Sequence, residues 1–415
     1  MHTRTHREGG PCPMSLTPAA VVVVVCVLLS LCGVCVTAHT ASVLPDVHRN
    51  ATELVTSKGY PAEEHWVTDP DGYILFLQRI PYGRSGPSKN RPVVLLQHGV
   101  LDSSATWLLN SAEQSLGFVL ADAGFDVWLS NDRGNCLSKE NTHLNPSSAA
   151  FWDWDWQNLG STQLPFLVDY ILARSGASRL NGYIGHSQGT TQGFVAFSTN
   201  PELAAKVDLF VALAPVVFMK NAGNLLLKEA AKLHGDGLFR LLGVKSFNPS
   251  PAVFRKVAPG LCTLFPSICD DFICYFCGCD RTSMNNTRLP VYVEHWGCPT
   301  SVRDLAHYSQ EVRSGDWQMY DFGSKSANND HYGQETPPLF PLGSLAVDTA
   351  LFSAKFDTLA DPADVSRLIA SMPAHRLVYH EENPTWGHAG FIWSTDACTT
   401  IYPKIVDMLR ARQQT

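Results

Sequence analysis

Short, almost wholly apolar runs separated by helix-length segments fill residues 92–215, and no other feature limits the fold as strongly. Val93-Val94-Leu95-Leu96, Phe125-Asp126-Val127-Trp128-Leu129, Tyr183-Ile184 and Leu209-Phe210-Val211-Ala212-Leu213 are too short and too apolar to be strands with a wet face. Such strands belong in a parallel sheet covered on both sides. The segments 112–123, 160–173 and the one after Gly189 are then the covering helices. The predicted class is α/β, a mostly parallel central sheet flanked by helices.

Upstream, Trp66-Val67-Thr68 and Tyr73-Ile74-Leu75-Phe76-Leu77 flank Pro70-Asp71-Gly72, the pattern of a β-hairpin. The alternation stops between 216 and 341, where an amphipathic stretch (225–231), a cysteine cluster and a polar segment (324–336) replace it. It returns at 344–352 and at Arg376-Leu377-Val378-Tyr379, and a helix from Thr395 ends the chain. The expected organisation is a core of 39–215 and 342–415, interrupted by an inserted cap and lid at 216–341.

Residues 1–38 carry Arg4 and Arg7, an apolar run from Ala19 to Val36 and the small-residue end Val36-Thr37-Ala38, a secretory signal pattern. An uncleaved anchor is the alternative, because the run approaches the ~20 residues that span a bilayer; Ser30, Gly33 and Thr37 dilute it. Asn50-Ala51-Thr52 and Asn285-Asn286-Thr287 are glycan acceptors in that compartment. Of the 12 cysteines, Cys262, Cys269, Cys274, Cys277 and Cys279 cluster, and an oxidising compartment makes disulfides the first expectation. Their spacing lacks the paired C-x2-C modules of a zinc site. The net charge of −7, without a long basic run, argues against a nucleic-acid partner. A charged fraction of 17%, below the roughly 25% of ordinary soluble domains, leaves room for apolar surface facing lipid.

Chemistry concentrates at Gly185-His186-Ser187-Gln188-Gly189, which fits G-x-S-x-G. Glycines on both sides permit the tight strand-to-helix turn that lifts a serine hydroxyl above the sheet edge, and Tyr183-Ile184 before it with 190–197 after it supply that strand and helix. A serine hydroxyl needs a histidine to take its proton and a carboxylate to fix the histidine tautomer, in the chain order Ser, acid, His. Asp357, at the end of the run Leu351-Phe352-Ser353-Ala354-Lys355-Phe356, is the expected acid. Asp361 precedes Pro362 as a helix N-cap, and Asp348 stands at the wrong end of its strand. His388, between Gly387 and Ala389-Gly390, is the expected base, and His380 the weaker one. The oxyanion requires two N–H donors: Gln188, after the nucleophile, and Val100, in the loop Gln97-His98-Gly99-Val100, with His98 bracing that loop.

Together with Gly59-Tyr60-Pro61-Ala62-Glu63-Glu64, Asp71-Gly72-Tyr73-Ile74-Leu75, residues 120–129, Ser198-Thr199-Asn200-Pro201 and Ala212-Leu213-Ala214-Pro215, these motifs make nearly the whole mature chain resemble the animal acid lipase family. The resemblance implies an α/β-hydrolase fold with a cap and lid. It also implies an esterase for triacylglycerols, cholesteryl esters or both, working at a lipid–water interface in the secreted or lysosomal space. Neither a metal, a cofactor nor an obligate protein partner is implied. A cap disulfide is implied at Cys262 and Cys269, with Cys277 matching an unpaired family cysteine, while Cys274 and Cys279 look like additions whose pairing stays open. The chain departs from the family at Val100, at 353–356 and at Ala389-Gly390. An inactive binding protein on a hydrolase scaffold, or a serine peptidase on the same scaffold, is the alternative reading.

Overall fold

The apolar runs become the middle of one sheet. A computed structural model describes residues 44–223, 245–249, 252–278 and 283–414. Its strands are β1 (Glu63–Thr68), β2 (Tyr73–Ile80), β3 (Val93–Gln97), β4 (Asp126–Leu129), β5 (Glu140–Asn141), β6 (Gly182–His186), β7 (Phe210–Leu213), β8 (Ser246–Phe247), β9 (Thr300–Ser301), β10 (Thr349–Ala354) and β11 (Leu377–Asn383). The central sheet has the order β1-β2-β4-β3-β6-β7-β10-β11, with β5 paired to β2. From β4 to β11 neighbouring strands are parallel; β1 and β2 form the antiparallel edge.

Every residue of β3, β4, β6, β7 and β10 is buried, as a sheet with helices on both faces requires. Val93, Val94, Leu95 and Leu96 are each at most 1% exposed, and each contributes about 1.5–3 kcal/mol relative to an exposed side chain. Edge strand β11 instead alternates half-buried and exposed positions. The β1–β2 turn is held by Asp69, whose carboxylate accepts the N–H of Asp71 and of Tyr73. Gly72 there has φ +83°, and a Cβ on it would meet Thr142 Oγ1 at 2.6 Å.

Local structure differs from the sequence reading in three places. The segment 112–123 is a 3-10 turn, Ala112–Gln114, then a helix, Leu116–Asp122, because Ser115 between them is extended. The strand expected at 344–352 begins only at Thr349: Leu342–Ser344 is a 3-10 turn, and Asp348 is engaged by Arg376 and Arg412 at the strand's base. Strand β11 runs on to Asn383, so His380 lies inside it.

Between β7 and β10, no described residue of 216–341 joins the central sheet. This stretch holds the helices Ala252–Leu264, Pro266–Cys277, Leu289–His295, Val302–Ser314 and Lys325–Tyr332, and the β8–β9 ribbon. A disulfide joins Cys262 to Cys269 across the turn between the first two helices, leaving Leu264 and Phe265 more than half exposed. The leader 1–38, the amphipathic stretch 225–231 and Cys279 lie outside the described residues. Among the described residues no helix is long and apolar enough to cross a membrane.

Candidate active site

Strand β6 ends at His186, the helix Gln188–Thr199 begins at Gln188, and Ser187 is the single residue between them. Its φ of 54° and ψ of −119° put it in a region that L residues rarely adopt. Packing allows this only because both flanks are glycine. A Cβ on Gly185 would lie 2.6 Å from the carbonyl of Gly189, and one on Gly189 would lie 2.4 Å from the Gln97 oxygen. Ser187 N–H donates to Leu213 O, and Tyr183 O–H donates to Gly189 O.

Two loops at the same sheet edge bring in the other groups. Asp357 follows β10, and its carboxylate accepts the N–H of Leu359 and of Ala360 at 2.8 Å each. His388 follows β11. Its Nδ1 lies 2.8 and 3.0 Å from the two Asp357 carboxylate oxygens, and its Nε2 lies 2.7 Å from Ser187 Oγ. A carboxylate only accepts, so Nδ1 carries the proton and the Nε2 lone pair faces the serine hydroxyl. Ser187, Asp357 and His388 are all at most 5% exposed. Gly390 shapes the histidine loop, since a Cβ on it would meet Trp386 Cβ at 2.7 Å.

The alternative residues are occupied elsewhere. Asp361 caps the helix Pro362–Ser371. Asp348 pairs with two arginines at the opposite sheet edge, and His380 Nε2 lies 3.0 Å from Ser353 Oγ. An open cavity of about 590 Å³ also lies at that opposite edge, lined by Arg179, Asp208, Asp348, Arg376 and Arg412. Its charged groups are paired with one another, and it is remote from Ser187.

Val100 and Gln188 line one small cavity together with His98, Gly99 and Leu101. His98 Nε2 accepts the Asp132 N–H at 3.1 Å, so its proton is on Nδ1, which donates to Gly99 O at 2.7 Å. Gly99 C=O and Val100 N–H belong to one trans peptide plane, and holding the carbonyl fixes where the N–H points. A Cβ on Gly99 would lie 2.9 Å from Ser187 Cβ, which is why this loop approaches the serine through a glycine. Beneath it, buried Asp132 accepts from the side-chain amides of Gln97, Gln163 and Gln192. Burial pushes the Asp132 carboxyl above its ordinary range, and the Gln163 and Gln192 amides act against the rise.

Two groups at the site escaped the sequence reading. His186 Nε2–H donates to the backbone carbonyl of His388 at 3.0 Å, tying the nucleophile turn to the histidine loop. Burial pushes the His186 ring down to about 3, and a proton gained by the neighbouring His388 acts in the same direction, so His186 stays neutral while it donates. The second is a disulfide between Cys136 and Cys298, 162 residues apart, beside the loop that holds Gly99, Val100 and Leu101. Its cysteines stand outside the cluster that drew attention, and pairing at such a separation leaves no local pattern.

Comparison with known proteins agrees with this geometry. A model described as a partial α/β-hydrolase lipase region matches residues 51–111, and one for the α/β-hydrolase fold matches 92–233. Human gastric triacylglycerol lipase is 41% identical over 370 residues, covering 88% of this chain and 92% of the relative. Human lysosomal acid lipase/cholesteryl ester hydrolase is 39% identical over 373 residues, covering 89% and 92%. Among solved structures, a monoglyceride lipase of Saccharomyces cerevisiae superposes with a TM-score of 0.52 at 14% identity, covering 85% of this chain and 97% of the other, a likeness of fold. A shared fold with a buried Ser-His-Asp contact, and near-40% identity along almost the full length of both relatives, lead to one conclusion: the chain belongs to the acid lipase family of α/β-hydrolases, alongside the gastric and lysosomal enzymes.

Proposed function

We propose that the chain hydrolyses neutral-lipid esters, triacylglycerols, cholesteryl esters or both, by acyl transfer through Ser187. The carrying observation is the unbroken contact from Asp357 through His388 to Ser187 Oγ. Oγ attacks the ester carbonyl as its proton moves to His388 Nε2, and Asp357 stabilises the imidazolium. The oxyanion takes the N–H groups of Val100 and Gln188. Collapse expels the alcohol, which leaves with the proton from Nε2. Water then gives a proton to Nε2 and attacks the acyl group, releasing the fatty acid and restoring Ser187.

Residues 216–341 serve in this reading as a cap and lid. Exposed Leu264 and Phe265, on the turn closed by Cys262–Cys269, give it apolar surface for a lipid–water interface. A secretory route to the outside or to the lysosomal lumen suits the disulfides and the names of the relatives. It also suits glycans at Asn50 and Asn285. Asn50 caps the helix Ala51–Thr56 through its Oδ1, and Asn285 Oδ1 accepts the hydroxyl of its own sequon's Thr287. The test is Ser187→Ala assayed on an emulsified triglyceride and a cholesteryl ester. Turnover falls on the order of a million-fold, and a variant keeping substantial activity overturns the assignment.

A further inference from the structure

The oxyanion loop is gripped from two sides by segments that one disulfide joins. On one side Asn135 Nδ2 lies 3.0 Å from Asn131 Oδ1 and 3.3 Å from the Asp102 carbonyl, so its two N–H groups hold the end of the loop, and it packs 3.2 Å from His98 Nε2 at the loop's start. On the other side the N–H groups of Gly297 and Cys298 both donate to the Leu101 carbonyl at 2.9 Å. Leu101 needs that grip: its φ of 60° is left-handed, which a branched apolar residue keeps only where its surroundings enforce it. Cys136 directly follows Asn135, and Cys298 is itself one of the donors to Leu101. Their disulfide closes a ring around 98–102 and ties the core loop after β4 to the segment 296–299 that leaves the helix Leu289–His295.

We propose that Cys136–Cys298 is a positioning bond for the oxyanion loop, setting the direction of the Val100 N–H in addition to stapling the fold. The proposal rests on the reading of Val100 as an oxyanion donor. With the disulfide gone, segments 135–136 and 297–298 separate, Leu101 relaxes toward an ordinary φ, and the Gly99–Val100 peptide one residue upstream is left with only the His98 Nδ1–Gly99 O bond to orient it. Loss of a whole oxyanion donor costs about 10²–10³ in kcat. A donor that is present but loosely aimed costs less, on the order of tenfold.

The experiment uses the full chain as Cys136→Ser/Cys298→Ser, with active sites counted by fluorophosphonate labelling carried to completion, so that misfolded molecules drop out. Expected are a roughly tenfold fall in kcat per labelled site with KM within twofold of the parent, and an equal loss of affinity for an alkyl boronic acid that mimics the tetrahedral intermediate. The control Cys398→Ser, at a cysteine that forms no disulfide, keeps the parent kcat per labelled site. A merely structural bond lowers the melting temperature and leaves kcat per labelled site unchanged, and that result overturns the proposal. If the double variant yields no folded protein, folded Cys262→Ser/Cys269→Ser enzyme is compared with itself before and after reduction and alkylation at Cys136 and Cys298; a kcat unchanged by that treatment then overturns it equally. Ser187→Ala separates the two readings: activity surviving there defeats the nucleophile assignment, whereas its loss there, with full kcat in the cysteine variant, defeats only the disulfide's role.

Discussion

Replacing Asp102 by Asn should make the protein more stable at neutral pH and leave it unchanged in acid. Asp102 ends the oxyanion loop and is 5% exposed. Burial pushes its carboxyl from 3.8 up to about 6, with partial relief from the Ser103 N–H at 2.8 Å and the Thr106 hydroxyl. For an acid whose folded value is raised, the stabilising contribution is complete below the unfolded value and is lost as pH rises through the folded one. A shift of about two units corresponds to about 3 kcal/mol, given up between pH 4 and somewhat above pH 6. Asn resembles the protonated carboxyl: it is neutral and still accepts from Ser103 and Thr106. Over a folded unit of Val43–Thr415, an unfolding entropy of about 2 cal/mol/K per residue turns 3 kcal/mol into about 4 °C. Thermal unfolding of parent and Asp102→Asn from pH 4 to 7.5 should give coincident midpoints at pH 4 and a variant about 4 °C higher at pH 7.5. A difference that does not vary with pH, or a parent more stable at pH 7.5, would refute the reasoning.

Two further substitutions probe the site directly. Asp357→Asn keeps the shape but frees the His388 tautomer, so kcat should drop about 10⁴-fold with near-normal stability; steady-state kinetics beside a melting curve check this, and a loss under tenfold contradicts it. Gly189→Ala forces a Cβ to within 2.4 Å of the Gln97 oxygen, so the nucleophile turn and the oxyanion loop must move apart. Fluorophosphonate labelling of this variant should slow at least a hundredfold, while Ala at Gly176, where no atom lies within 4 Å, leaves labelling alone despite its positive φ.

The parts of the site readable in advance were those governed by local rules. Glycine spacing demanded the strained turn at Ser187, and the order of strands after it led to Asp357 and His388. Sheet class followed from runs such as Val93-Val94-Leu95-Leu96, whose lack of any polar alternation already implied two covered faces. Strand limits were less legible, because apolar content does not reveal that Asp348 is claimed by Arg376 and Arg412 before β10 starts. The contacts that orient the catalytic groups were invisible: His186 to the His388 carbonyl, Asn135 to His98, and Cys136 to Cys298 join segments far apart in the chain. Each is a pairing between surfaces that exist only after the sheet has assembled.

The placement of the catalytic groups on separate strands also sets a timetable for synthesis. His388 lies 201 residues beyond Ser187, so a ribosome adding about 5–20 residues per second delivers it roughly 10–40 s later. For most of that interval β7 has no partner on its outer side, because its neighbour β10 has yet to emerge. The nascent chain therefore carries a serine that cannot yet act and an apolar sheet edge that must be shielded, and both conditions end together when the last two strands dock.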